Sequence, residues 1–244
     1  VLEDSANYSF NKSHSISYAM LAAITIYLKF KYPKQFFLSL LKMSRHEPDP
    51  IQEISKIQRE MHHFRVKLLP PHIIKSQMDF SVEGDDIRFG LLSIKGISEK
   101  SIEKLNNFKD NYSTKFEVFE GAKESGLTIG ILSALIQAGT FQGFQMSRSK
   151  IVYEGQLWNI LLKKEKAAAL KLAEKFDYDL VKIVKELCNI KDDRGKPLIK
   201  ETRLKTIKKR TDSYKEIYYK NNASESFANW FYENNLLGYT YGKR

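Results

Sequence analysis

Lys12, Ser13, His14 and Ser15 stand together at the mouth of an apolar run, in FNKSHSISYAMLAAITIYLKFKYP, Phe10 to Pro33. A mobile ammonium and two hydroxyls placed where a helix begins can bind a phosphate, because the first-turn N–H groups lack partners and the helix dipole is positive there. The same residues can also do less, with Ser13 or Ser15 capping the helix and Lys12 solvated. The residue types leave both open.

A second cluster lies in LLSIKGISEKSIEKL, Leu91 to Leu105. A hydrophobic-x-Gly-hydrophobic turn followed by a helix has the shape of a helix-hairpin-helix element. In such an element the backbone amides around Lys95, Gly96, Ile97 and Ser98 can hydrogen-bond a DNA phosphate without reading sequence, and Lys100 is counted with them. Gly96 permits the tight turn. Ser98 stands where such hairpins usually carry a second glycine; it suits an N-cap but disfavours a positive φ. A plain turn before a helix is the alternative.

Metal and catalytic constellations are poor. His62 and His63 are adjacent and point to different sides of a helix, His46 precedes a proline and His72 follows one, so none has a ligand at metal spacing. Asp85-Asp86 falls in a turn and Asp192-Asp193 in a basic loop, neither suited to hold two magnesium ions. No P-loop and no G-x-S-x-G occurs. We assign no catalytic residue and no metal ligand within the chain.

The elements that must position these clusters follow from periodicity. A helix runs from the Ser13/Ser15 cap to about Lys31, with Tyr18, Leu21, Ala22, Thr25, Leu28 and Lys29 on one face. Pro33 starts a second helix to about Ser44, and Asp49 caps a third through about Phe64, with Ile51, Ile54, Ile57, Met61 and Phe64 at core spacing. These three helices are expected to pack together. MDFSVEGDDIRFGLLSI alternates around the Glu83 to Asp86 turn and predicts one β-hairpin.

Further helices are expected over Ser98 to about Phe108, Lys115 to Ser125, Ile129 to Ala138 closed by Gly139, one long helix or two over Ile151 to Leu187, and Ser224 to Leu237. No internal repeat is evident. The fold class is mostly α: a helical subdomain with the β-hairpin (1–90), the helix-hairpin-helix region (91–145) and a basic helical tail (146–244).

Composition sets the limits. The chain has 244 residues with 42% hydrophobic, enough for a core. Its net charge of +11 favours phosphate polyanions or acidic surfaces as partners. The 191–220 segment carries eleven basic and five acidic residues, fitting either a solvated face or a phosphate-tracking one. Cys188 is the only cysteine, which excludes an intrachain disulfide and suits a reducing cytoplasm. The run Ile16 to Leu28 is too short and polar to span a membrane, and Glu3 and Asp4 stand where a signal peptide would be basic. A start at Val1 is expected of a piece of a longer or processed chain.

The order of these pieces resembles the bacterial replicative DNA polymerases of family C, the polymerase III alpha subunits. FNKSHSISYAMLAAITIYLKFKYPKQFFLSLL is similar to their fingers segment, and REMHHFRVKLLPPHI to the helix leading into V-x-x-L-P-P-x-I. IRFGLLSIKGISEKSIEKL resembles their I-x-x-G-L-x-x-I-K-G-V-G hairpin. LSALIQAGTFQGF is similar to L-x-x-L-I-x-A-G-A-F-D, with Thr140 and Gln142 departing, and WFYENNLLGYTYG to E-x-x-x-L-G-x-Y-x-S. The resemblance covers roughly 1–145 and, more weakly, 225–241; between them the match is only helical and basic.

The resemblance implies that Lys12 neutralises triphosphate charge, with Asn11, Ser13 and His14 as polar contacts and Phe10 and Tyr18 against base or sugar. It implies that Lys95, Gly96, Ile97, Ser98 and Lys100 hold duplex DNA. The palm with its three metal-binding aspartates, and hence the Mg2+, would lie outside this chain, so the enzyme is a DNA-directed DNA polymerase of which this is the fingers and helix-hairpin-helix portion, inactive alone. Implied partners are primer-template DNA, deoxynucleoside triphosphates and a palm-containing polypeptide in cis or in trans, with a sliding clamp admitted, in the cytoplasm of a bacterium or a phage-infected cell. A non-catalytic DNA-binding accessory protein is the alternative, and a scaffold binding an acidic protein a third.

Overall fold

Ser147 accepts the Lys150 amide at 2.9 Å and so starts the helix around which much of the molecule is built, Arg148–Ile160. The computed structural model describes residues 12–105, 112–141, 147–191, 195–221 and 224–242. Within them the α-helices are α1 (Lys12–Lys31), α2 (Pro33–Ser44), α3 (Pro50–His63), α4 (Glu99–Leu105), α5 (Lys115–Glu124), α6 (Ile129–Gln137), α7 (Arg148–Ile160), α8 (Lys163–Leu172), α9 (Leu180–Leu187), α10 (Glu201–Asn221) and α11 (Glu225–Leu237). The fold is mostly α with one small sheet, as the sequence predicts.

That sheet has three strands, β1 (Leu68–Leu69), β2 (Ser81–Glu83) and β3 (Asp86–Arg88), in the order β1-β3-β2. The predicted hairpin is β2–β3, antiparallel with Val82 opposite Ile87. The sequence misses β1, which pairs parallel with β3 through Leu68 opposite Ile87, because two residues carry no readable alternation. Arg88 grips Glu83 with two hydrogen bonds of 2.5 and 2.7 Å and donates to the Pro70 carbonyl at 2.7 Å, locking the sheet's end. Lys34 on α2 reaches the turn at the Gly84 carbonyl, 2.8 Å.

The cap predicted at Asp49 forms: it accepts the Gln52 amide at 3.1 Å with Pro50 in the first turn of α3. A capping box of Thr114 and Glu117, not among the sequence-based expectations, starts α5. The expected single helix or pair over 151–187 is instead three pieces. Glu165 takes the Leu162 amide at 2.7 Å to restart the chain at α8, and Asp177 and Tyr178 adopt left-handed φ of 48° and 57° before α9. No glycine or proline marks either break.

Helix α7 is buried on nearly every side, from Ile151 to Trp158, and α5, α6, α9, α10 and α11 all lie against it. Trp158 stacks on Phe116 with centroids 4.7 Å apart and donates to Glu120 at 2.6 Å. Two charged groups on α7 are buried or nearly so. Glu154 pairs with Lys115, and Arg148 binds Glu233 at 2.9 Å, the Gln137 carbonyl at 3.0 Å and the Tyr241 hydroxyl at 3.1 Å.

The expectation that α1 packs as a third helix of the first bundle is corrected. Leu21, Met20 and Phe30 are 61%, 60% and 71% exposed, and its last turn is held to the described residues by Lys29 to Glu60 and by Phe30 against Phe64 at 5.3 Å. Ile16, Met20, Ile24 and Tyr27 surround the helix as much as Tyr18 and Leu21 do, so no single apolar stripe directs it onto its neighbours.

The Asp179 carboxylate caps α9 through the Lys182 amide, 3.0 Å, and accepts from Lys150 at 2.6 Å. Burial works to raise its pKa, but the Lys150 hydrogen bond and the Lys182 amide outweigh it, so the carboxyl sits below its ordinary range. A carboxyl depressed in the folded state stabilises above its unfolded pKa and loses that contribution as pH falls through the folded value. Asp179→Asn should therefore lose less stability than wild type on passing below about pH 4. Denaturant midpoints across the acid range check this; parallel curves would refute it.

Candidate functional site

The turn before α4 is built from the inside out. Ile94 and Ile97 are 1% and 8% exposed and anchor its two arms, the Ile97 amide bonds the Ile94 carbonyl at 3.1 Å, and Gly96 between them takes φ +89° with open space on its side-chain side. Ser98 caps α4: its carbonyl accepts from Ser101 at 2.9 Å and Ile102 at 3.2 Å, and its hydroxyl meets that of Ser101 at 2.9 Å. The left-handed φ falls on Gly96 and not on Ser98, so a serine fits where a second glycine was expected.

The structure narrows the set of amides. Of the four around the turn, Ile97 is used within it and Lys95 donates to the Leu236 carbonyl on α11 at 3.1 Å. The amides of Gly96 and Ser98 have no internal acceptor among the described residues. The Lys95 and Lys100 side chains are exposed and in no ion pair among them. The bond to Leu236 also fastens the turn to the end of α11, a link across 141 residues that no local pattern announces.

Of the predicted nucleotide-contacting set, Phe10 and Asn11 lie outside the described residues. Lys12 and Ser13 begin α1, their side chains lying outside the description, so Ser13 and Ser15 sit in the first turn and do not precede it as caps. His14 and Tyr18 face each other edge-on at 4.4 Å, with Tyr18 60% exposed. No hydrogen bond or ion pair joins this set to the turn before α4 among the described residues. No group of three or more His, Cys, Asp or Glu that could hold a metal occurs among the described residues, and no described helix is long and apolar enough to cross a membrane.

Sequence reasoning missed the node that holds α11 in place. Glu233, 1% exposed at its side chain, takes the Arg148 guanidinium on one oxygen and the amides of Tyr241, 3.0 Å, and Gly242, 3.2 Å, on the other. Burial pushes the Tyr241 phenol up to about 12, and its hydroxyl donates to the Ala138 carbonyl at 2.8 Å. The one available signal is an acid flanked by apolar residues, in WFYENNLL, which is as often solvated as buried.

Comparison with known proteins agrees with this geometry. A family model described as the helix-hairpin-helix motif matches residues 65–151, which bracket the Gly96 turn. The chain is 33% identical over 147 residues to DNA polymerase III subunit alpha of Deinococcus radiodurans, covering 59% of this chain and 11% of that protein. It is 32% identical over 172 residues to the subunit of Chlamydia pneumoniae, covering 69% and 14%, and 31% identical over 147 residues to that of Thermus aquaticus, covering 59% and 12%. The matches thus take in 11–14% of these relatives' length. The turn and its helices are a helix-hairpin-helix region. More particularly, it is one related to that of the DNA polymerase III alpha subunits.

Proposed function

We propose that this chain is the fingers and helix-hairpin-helix portion of a replicative family C DNA polymerase. It contributes contacts to the incoming nucleotide and to the DNA backbone, while the palm aspartates and their Mg2+ are supplied from outside it, in cis or in trans. The observation that carries this is the helix-hairpin-helix match over 65–151, which takes in the Gly96 turn, in a chain of which 59% is similar to a polymerase III alpha subunit. Helix α1 gives a second support, because a bare apolar surface of this extent suits a helix covered by other parts of a larger assembly.

In this reading the Gly96 and Ser98 amides and the Lys95 and Lys100 ammonium groups hold phosphates, positioning duplex DNA without selecting its sequence. Lys12, with Phe10, Asn11, Ser13, His14 and Tyr18 around it, meets the triphosphate. The partners are primer-template DNA, deoxynucleoside triphosphates, a palm-bearing polypeptide and a sliding clamp, in the cytoplasm.

Primer extension in the presence of the palm-bearing polypeptide is the test. Lys12→Ala should raise the nucleotide concentration required by about tenfold with DNA binding nearly intact. Lys95→Ala combined with Lys100→Ala should weaken duplex binding alike for every sequence and flatten the dependence of log K on log salt by about 0.9 for each phosphate no longer neutralised. Extension that ignores this chain, together with a salt-sensitive DNA shift, would sink the polymerase role and leave a DNA-binding accessory.

A further inference from the structure

The bond from Lys95 to Leu236 brings three segments that are distant in sequence around one half-open cavity of about 600 Å³. One wall is the hairpin, with Lys95 and Gly96. A second is the connection from α2 into α3, with Arg45. The third is the end of α11, with Asn234 and Asn235. The volume falls within the roughly 300–1,000 Å³ of small-molecule sites.

Its chemistry is mixed in a specific way. Ile51 and Leu92, both half-buried, and the exposed Pro48 supply apolar surface, with Ile54 and Ile94 buried behind them. Two cations, Arg45 and Lys95, face one carboxylate, Asp49, which already accepts the Gln52 amide. Arg45 donates to His46 at 3.4 Å and approaches Asp79 at 4.0 Å, and Lys95, Asn234 and Asn235 make no side-chain hydrogen bond among the described residues. Two uncommitted amides, which both donate and accept, beside apolar surface and cations, match a ligand with a planar body, a polar edge and an anionic end.

We propose that this cavity binds one nucleoside monophosphate unit, with its base on Ile51 and Leu92, the base edge on Asn234 and Asn235, and its phosphate on Lys95 and Arg45. The unit is either a free nucleotide or an unstacked residue of a single strand continuing from DNA held at the hairpin; only this second source rests on the function proposed above. Asparagine reads a base edge in this manner, and single-stranded bases are recognised on their edges and faces. The hairpin is thereby one wall of a site as well as a phosphate grip.

Calorimetric titration of the whole chain with deoxyadenosine monophosphate, with deoxyribose 5-phosphate as the base-free comparison, tests it. Saturable binding of the nucleotide, at least about tenfold tighter than the sugar phosphate, is expected, and Asn234→Ala with Asn235→Ala should remove that margin. Both asparagines are exposed, so circular dichroism and the melting temperature of this variant should match wild type. A parallel arm compares a blunt duplex with one carrying a single-stranded overhang, and a preference for the overhang that the double variant loses identifies the strand as the source. Nucleotide binding without overhang preference identifies the free nucleotide. Absence of both, or nucleotide binding indifferent to the asparagines, overturns the inference. Blunt-duplex binding that persists in that case leaves the proposed function standing, whereas nucleotide binding without any duplex binding would count against that function alone.

Discussion

Glu154→Ala is expected to lower the unfolding free energy by about 3–5 kcal/mol, because it takes the carboxylate partner from a lysine buried in the core. The side chains of Glu154 and Lys115 are 0% and 3% exposed. One carboxylate oxygen takes the Lys115 ammonium and the other the Leu180 amide at 3.0 Å, tying α7 to α5 and to the start of α9. Burial pushes the Glu154 carboxyl up and the Lys115 ammonium down, so each group depends on its partner to offset its own desolvation and neither tolerates the partner's removal. Replacing both at once, Glu154→Leu with Lys115→Met, should recover most of the stability, since an apolar pair of similar volume costs little against a buried ion pair. Urea unfolding of wild type and the two variants decides it. A single variant within about 1 kcal/mol of wild type would show that water reaches the pair.

Gly238→Ala is expected to cost about 2–5 kcal/mol. Gly238 ends α11 at φ +79°, which an L-residue adopts at a penalty of about 1–2 kcal/mol. A β-carbon there would also lie 2.3 Å from the Ile51 carbonyl oxygen, and backbone cannot swing aside as a side chain can; such overpacking adds about 1–3 kcal/mol. The displacement passes to Leu236, whose carbonyl holds the Lys95 amide, so the variant should also weaken the duplex binding proposed for the hairpin. Gly96→Ala is the comparison: its φ is +89° but nothing lies near the added carbon, so only the conformational penalty of about 1–2 kcal/mol remains. Equal losses in the two variants would mean that α11 can move away from α3 at little cost.

The parts legible beforehand are those in which a residue acts on its own turn. Asp49 and Pro50 announce α3, and the SVEGDDIR stretch forms its hairpin, because caps and tight turns are decided within about four residues. The tight turn read at Gly96 belongs with them, while the structure alone puts the left-handed φ on that glycine. Helix α1 shows the limit. Its sequence establishes a helix, but a helix apolar on all sides carries no stripe from which to read what covers it.

What only the tertiary structure decides is which distant groups share a desolvated space. Glu154 meets Lys115 across 39 residues and Glu233 meets Arg148 across 85, and nothing in either segment distinguishes these acids from solvated ones. The amides of the hairpin looked equivalent in sequence until the end of α11 claimed that of Lys95. The cavity beside it exists only because α11 returns to the hairpin and to the start of α3. Residue type and spacing fix local hydrogen bonding, whereas ion pairing and cavity shape depend on packing between elements, which the spacing along one chain does not encode.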